Sequence, residues 1–420
     1  MIDPRRIIEE AVSKPSVFIK KEALYPEYIP RVLPHRENQM TQLARYFRNI
    51  LASPGSSSTK VLVVGGVGTG KTVTTRFFGK EFRELALEKG LDVRYVHINC
   101  HRSRTLYEIL TELIKELNAP IPTRGFSARE LLKYLHEYVE RTDLYVIVTL
   151  DEFNYFVETS GPDAVYFLMR VYDEYPDWSK RLNYILISRD YSVLHKIDLA
   201  TYDYVMKNIV KFNPYRASEL RDILIARREE AFHRGTVSDE IVSYIAELEG
   251  YDTGGSGNAR AAIETLLLAG EAADQENSPV VKIDHVRKAR SYINSDIVVI
   301  SEALQYLNLH ELLLLKAVVE ILNREGSPYV SMGRVEEEYR RLANMYSLEP
   351  RKHTQVYEYV NNLKKMGIIE AKLSSKGRRG RTTMIGIGGV PLKPLADKIN
   401  ELVEKLIVVE IKRTSDRGSH

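Results

Sequence analysis

The strongest chemical signal in the chain is the run Gly65-Gly66-Val67-Gly68-Thr69-Gly70-Lys71-Thr72. It fits the phosphate-loop pattern G-x-x-x-x-G-K-[ST], with a short apolar run before it and a helical pattern after it. Glycines let backbone amides from Val67, Gly68, Thr69 and Gly70 curl around phosphate oxygens without a Cβ clash. The following helix start favours an anion. Lys71 supplies a point charge to β- and γ-phosphates, and the Thr72 hydroxyl suits Mg2+. The chemistry this implies is binding of ATP or ADP with Mg2+.

A second group lies at the end of Val146-Ile147-Val148-Thr149-Leu150-Asp151-Glu152. Asp151 is placed to hold Mg2+ through water, and Glu152 to polarise an attacking water. An acid at a strand end is common, so the pair gains weight only from sharing a sheet pattern with the P-loop. The adjacent glutamate points to hydrolysis rather than binding alone. Ser188 and Arg189 close a further apolar run, Ile185-Leu186-Ile187, where Arg189 would point toward the γ-phosphate. An ordinary strand-to-loop polar pair fits these two residues equally well.

The elements that must position these groups alternate. Apolar runs at 60–64, 93–98, 144–150 and 182–187 read as buried strands. Between them, 73–90, 106–117, 128–141 and 163–174 read as helices. Such alternation predicts a parallel sheet covered on both faces. Residues 1 to 40 read as an extended arm broken by Pro26, Pro30 and Pro34, followed by a helix at 38–52. Strand signals stop near residue 207, and helices are expected at 216–234, 238–249, 258–273 and 283–293. From about residue 300 the pattern is three helices (308–324, 331–345, 353–366) and two short strands (368–373, 382–387). The predicted architecture is an α/β P-loop core over 1–207, an all-α lid over 208–298 and a winged helix over 299–412.

Composition sets outer bounds. A chain of 420 residues fits two or three domains, and 44% hydrophobic residues can build packed cores. No apolar run approaches a membrane span, and the N-terminus lacks a secretory h-region, so a cytosolic, nucleoid-associated protein with no membrane contact is expected. The single cysteine, Cys100, excludes disulfide frameworks and cysteine zinc sites and reads as a buried thiol. Arg417-Gly418-Ser419-His420 resembles the start of a purification tag.

The net charge of +3 conceals a local imbalance. From Arg351 to Thr383 there are nine Lys/Arg against two acids. The helix at 353–366 carries Val356, Val360 and Leu363 on one face. Thr354 and Gln355, on other faces, can hydrogen-bond base edges, and Arg351 and Lys352 before the helix suit a phosphate. The loop between the last two strands holds Lys376, Arg378, Arg379 and Arg381, a cation density suited to a minor groove. Double-stranded DNA is the expected partner; a charged loop on a protein-contact module is the bland alternative.

These parts in this order resemble AAA+ ATPases, and the details are similar to the archaeal replication-initiator family related to origin-recognition and helicase-loader subunits. Tyr28-Ile29-Pro30 with His35-Arg36-Glu37 resembles that family's nucleotide-flanking segment. His97-Ile98-Asn99-Cys100, a helix and the loop from Pro120 to Gly125 resemble its helical insertion, which the resemblance implies as a second DNA contact. Asn213-Pro214-Tyr215 with Glu219, Leu220, Ile223, Leu224 and Arg227 resembles the opening of the lid. Gly257-Asn258-Ala259-Arg260 resembles its sensor-2 motif. The resemblance implies that Tyr215 and Arg227 contact the nucleotide and that Arg260 clamps phosphate oxygens; an ordinary surface arginine is the alternative for Arg260. Two positions depart from the family. Arg189 stands where sensor 1 is usually Asn, so slow, switch-like hydrolysis is expected. Residues 198–207 lack the arginine that relatives direct at a neighbouring subunit. The reading is an ATPase that recognises replication-origin duplex DNA and promotes helicase loading, with the replicative helicase and paralogous initiators as further partners. A signalling or defence NTPase whose winged helix contacts proteins is the alternative.

Overall fold

The structure is a computed structural model, and it describes residues 15–197, 199–293, 303–373 and 382–417. In chain order its elements begin α1 (Glu37–Ala52), β1 (Lys60–Gly65), α2 (Lys71–Glu88), β2 (Asp92–Asn99), α3 (Leu106–Glu116), α4 (Ala128–Arg141) and β3 (Leu144–Asp151). They continue with α5 (Phe153–Met169), α6 (Val171–Glu174), β4 (Leu182–Ser188), α7 (Leu199–Met206), β5 (Ile209–Phe212), α8 (Ala217–Ala231), α9 (Asp239–Glu249), α10 (Ala259–Gln275) and α11 (Ile283–Ile293). The last part is α12 (Leu309–Glu325), β6 (Tyr329–Ser331), α13 (Met332–Met345), α14 (His353–Lys365), β7 (Glu370–Leu373), β8 (Thr383–Gly386) and α15 (Leu392–Arg417).

The chain forms two compact units. The first is Pro26–Ile223 with Glu249–Ala261. Its sheet has the order β2-β3-β4-β1-β5, all parallel. Residues on successive positions face opposite layers, which is why the strands read as continuous apolar runs. Leu62, Val64, Val146 and Val148 pack with Leu110, Leu131 and Phe156. Val61, Val63, Ile147 and Ile185 pack with Phe47, Phe78 and Phe82. α3 and α4 each start with a capping box, Thr105 with Glu108 and Ser127 with Glu130. Cys100 is fully buried, and burial pushes its thiol up, as a structural role requires. Trp178 stacks between His136, at 4.0 Å, and Tyr175, at 4.1 Å.

The second unit takes Leu224–Leu248, Ala262–His420 and the segment before Pro26. Leu312, Leu315, Val335, Val356, Val360, Leu363, Ile385 and Ile399 form the winged-helix core. Its sheet is antiparallel, in the order β6-β8-β7. Lid helices α9 and α11 hold the base of this sheet. Arg287 donates from Nε to the Ile387 carbonyl (2.8 Å) and from Nη2 to that of Ser327 (3.3 Å). The Tyr244 hydroxyl donates to the same Ile387 carbonyl (3.2 Å).

Several expectations need correction. Strands do not stop at residue 207: Ile209–Phe212 adds β5 beside β1. The winged-helix sheet has three strands, because the short β6 joins the two expected. The helix expected at 163–174 starts earlier, at Phe153, and breaks at Gly161, whose φ of 75° is followed by Pro162; α6 then follows separately. Among the described residues no helix is long and apolar enough to cross a membrane.

Candidate nucleotide site and nucleic-acid interface

β1 ends at Gly65 and α2 begins at Lys71, so the intervening loop lies at the carboxyl edge of the sheet. Gly68 and Gly70 have φ of +70° and +88°. A Cβ on Gly68 would lie 1.6 Å from Asn258 Oδ1, and one on Gly70 2.6 Å from the Tyr215 hydroxyl. Glycine is required here by both conformation and closeness. The Lys71 ammonium donates to the Gly65 and Gly66 carbonyls, and burial brings its pKa down to about 8. Val67 and Thr69 complete the loop; Val67 is exposed, while Thr69 is buried and its hydroxyl donates to the Gly66 carbonyl.

β3 and β4 end beside this loop. The Thr72 hydroxyl donates to Asp151 Oδ2 at 2.7 Å, joining two oxygen groups from opposite ends of the loop helix and β3. Burial alone would raise the Asp151 pKa; hydrogen bonds from His97, Thr72 and the Glu152 amide outweigh it and hold the carboxyl below its usual range. A hydroxyl beside an ionised carboxylate is a hard-oxygen pair that fits Mg2+, which keeps most of its waters. Among the described residues no group of three His, Cys, Asp or Glu could hold a metal alone, so the donor set suits an ion that phosphates and water complete. Glu152 sits in the left-handed region (φ 54°), and its carboxylate accepts from Arg189 Nη2 at 3.0 Å. Thus Lys71, Thr72, Asp151, Glu152 and Arg189 converge.

The flanking segments reach the same loop. Arg36 is buried, and its Nη2 and Nε donate to the Thr69 carbonyl at 2.7 and 3.2 Å. Its guanidinium stacks 3.7 Å from the Tyr215 ring centroid. Tyr215 is itself buried, and burial pushes its phenol to about 12. Asn258 Oδ1 accepts from the Arg260 and Ala261 amides, and the Ala259 amide donates to the Gly68 carbonyl. Arg260 is therefore on the first turn of α10, with an exposed side chain.

Arg227 is placed differently. It lies in the second unit, buried, with Nη1 donating to the Ala23 carbonyl at 2.9 Å. Arg36, His97 and Asn258 are site-lining residues to which the sequence reading gave no individual role. Arg36 meets Thr69 across 33 residues, which no local pattern reveals. His97 had a weaker signal, a half-buried polar residue between buried Val96 and Ile98 in β2. Its Nε2 lies 3.4 Å from Asp151 Oδ2.

In the winged helix, α14 buries Val356, Val360 and Leu363 and exposes Arg351, Lys352, Thr354 and Gln355 at its start. The Arg351 amide donates to the Tyr339 hydroxyl, which fixes the approach to the helix. Lys376, Arg378, Arg379 and Arg381 lie outside the described residues.

Comparison with known proteins follows the same three parts. Residues 55–193 match the model of an AAA domain, 221–291 that of a Cdc6 AAA+ ATPase-type lid domain, and 302–391 that of a CDC6 C-terminal winged helix domain. The ORC1-type DNA replication protein 2 of Sulfurisphaera tokodaii is 48% identical over 96% of this chain and 97% of its own. The chain belongs to the ORC1-type DNA replication protein family. Among solved structures, Cdc6p from Pyrobaculum aerophilum is 31% identical with a TM-score of 0.80, over 93% of this chain and 100% of that one. The Aeropyrum pernix ORC2 protein, solved as ADPNP-ADP complexes, is 26% identical with a TM-score of 0.62, over 93% and 99% of the two chains. The Aeropyrum pernix ORC1 protein, solved in complex with DNA, is 28% identical with a TM-score of 0.58, over 94% and 98%. As an ORC1-type chain, this one combines an AAA+ core, a lid and a winged helix.

Proposed function

We propose that this ORC1-type chain is an ATP-regulated initiator that recognises replication-origin duplex DNA and promotes helicase loading. The observation that carries the nucleotide half is the convergence of Lys71, Thr72, Asp151, Glu152 and Arg189 on one loop. Backbone amides from Val67 to Gly70 cradle the phosphates, and Lys71 and Arg260 add charge at the β- and γ-positions. Arg36 fastens the loop at the Thr69 carbonyl and stacks on Tyr215. Thr72 and Asp151 would hold Mg2+, which supplies charge neutralisation at the phosphates when bound. Glu152 orients the attacking water. Arg189 cannot position water as an amide would, so hydrolysis is slow and acts as a switch. ADPNP and ADP complexes of the Aeropyrum pernix ORC2 protein support ATP and ADP as the ligands.

The DNA half rests on α14 and the loop between β7 and β8, and the DNA complex of the Aeropyrum pernix ORC1 protein supports it. Thr354 and Gln355 read base edges, while Arg351, Lys352, Lys376, Arg378, Arg379 and Arg381 contact phosphates or a minor groove. The replicative helicase and paralogous initiators are the protein partners of this reading.

The test is selection of bound fragments from random and genomic duplexes, with ATP and with ADP, followed by sequencing. A few intergenic sites sharing a short motif, with an ATP/ADP difference, are expected. Uniform recovery would leave a non-specific DNA-binding ATPase, and no recovery would favour a protein-contact role for the winged helix. Converting Arg378, Arg379 and Arg381 to Glu should weaken duplex binding and flatten its salt dependence. Unchanged affinity in that variant would remove the wing from the interface.

A further inference from the structure

Arg189 and Glu152 are both functional candidates, yet they neutralise each other. Arg189 Nη2 lies 3.0 Å from Glu152 Oε1, and this contact is the main reason the guanidinium is held above its ordinary pKa. A glutamate that orients water needs its carboxylate oxygens free to accept from that water. With Arg189 in place, Oε1 is already accepting a charge-assisted hydrogen bond.

Register shows what else Arg189 can reach. β4 pairs with β1 so that Ser188 lies opposite Val64, the residue before Gly65. Arg189 therefore leaves the sheet alongside the start of the phosphate loop. It is close enough to Lys71 for its charge to lower that ammonium's pKa. The two side chains of the pair are 51% and 31% exposed. An ion pair this open is weak, because water screens it and both side chains keep conformational freedom. A terminal phosphate carries more charge than a carboxylate and offers more acceptor oxygens, so it outcompetes Glu152 for the guanidinium.

We propose that Arg189 is a two-position latch. Without a γ-phosphate it holds Glu152; a bound triphosphate draws it away and leaves the carboxylate free to orient water. ADP, which has no terminal phosphate, leaves the pair closed. This deepens the nucleotide reading above, on which it rests. It also gives Arg189 a reason to differ from a neutral amide: an amide at this position could neither close on Glu152 by charge nor be pulled away by phosphate charge.

The latch makes a thermodynamic prediction that separates it from simple repulsion between Glu152 and the phosphates. Opening the pair costs part of the triphosphate's binding energy. Glu152→Gln should therefore tighten a non-hydrolysable β,γ-imido ATP analogue about two- to fivefold, the value of an exposed ion pair, and leave ADP affinity unchanged. In an Arg189→Ala background the same substitution should give no tightening. Arg189→Lys should restore part of it, because a cation is again available to both partners.

The experiment is equilibrium titration of the full chain with each nucleotide and Mg2+, for wild type, both single variants, the double variant and Arg189→Lys. Thermal melts verify that each is folded; Arg189→Gln replaces Arg189→Ala if the latter is not. Equal tightening with and without Arg189 would mean plain charge repulsion and overturn the latch. No tightening in the wild-type background would overturn it too. If the wild-type chain bound neither nucleotide, the nucleotide-site reading itself would fall, an outcome the ADP titration distinguishes from failure of the latch alone.

Discussion

Lys60 shows how a single residue can be held against its own chemistry. It opens β1, is 8% exposed, and its ammonium lies 5.4 Å from the Tyr204 ring centroid. Burial brings its pKa from 10.5 to about 8. At pH 7 the lysine is charged in both folded and unfolded chains, and only the folded one bears the desolvation cost. Lys60→Met keeps the apolar stem and removes the charge, so it should stabilise the chain at pH 7 by something on the order of 2 kcal/mol. Between pH 8 and 10.5 the folded state gives up this proton while the unfolded state keeps it. Wild-type stability therefore rises relative to the variant across that window, and denaturant titrations at pH 7 and 10 should show the gap closing. A gap that stays constant would mean that the ammonium is not desolvated. Arg36 is also a buried cation whose pKa burial lowers, but its guanidinium donates to the His35 and Thr69 carbonyls and stacks on Tyr215. Its planar fork, shared between these carbonyls and the Tyr215 ring, is not something lysine reproduces.

At the scale of elements, the phosphate loop is fastened from two sides by segments distant in sequence. Gly68→Ala should therefore do more than restrict a dihedral angle. The left-handed φ costs roughly 1 kcal/mol, and the new Cβ would collide with Asn258, the residue that caps α10. The expected outcome is loss of at least tenfold in ADP affinity with a lowered melting temperature; wild-type values for both would show that the loop moves freely away from Asn258. The loop itself was legible from sequence because its chemistry is local: glycine, lysine and threonine at fixed spacing between a strand and a helix. The three inner strands, β1, β3 and β4, were legible because each is apolar on both faces, and the edge strand β2 because it is eight residues long with Val93, Val96 and Ile98 buried. β5 was not, since it is an edge strand of only four residues with Lys211 exposed among them, too short to set a pattern. β6 is three residues long, too short for any period to register. The long α15 went unread because Pro394 in its first turn resembles a break, although proline is tolerated there. Contacts such as Arg36 with Thr69 depend on the fold being assembled, and no window of sequence contains them.

At the scale of the whole chain, the second unit ties its lid helices to the winged helix through backbone acceptors. Arg287 is 1% exposed and holds two carbonyls. Arg287→Ala removes both bonds and leaves a void among buried groups, so a loss of about 2–4 kcal/mol is expected. The melt should also broaden if the lid and winged helix then unfold separately. A sharp transition at the wild-type temperature would show that this joint contributes little. The stack around Trp178 offers a way to see which part of the molecule melts. It holds the chain's single tryptophan, and it lies wholly in the first unit. Emission excited at the indole band is therefore a local signal: it is silent to unfolding in the second unit, which far-ultraviolet dichroism records. His136, packed against the indole, has its pKa lowered by burial, so the imidazole stays neutral, and a poor quencher, through mild acid. The molecule thus carries its own optical label on the nucleotide-binding half, with no dye or added residue, and its brightness should dim only once acid reaches below the ordinary histidine range.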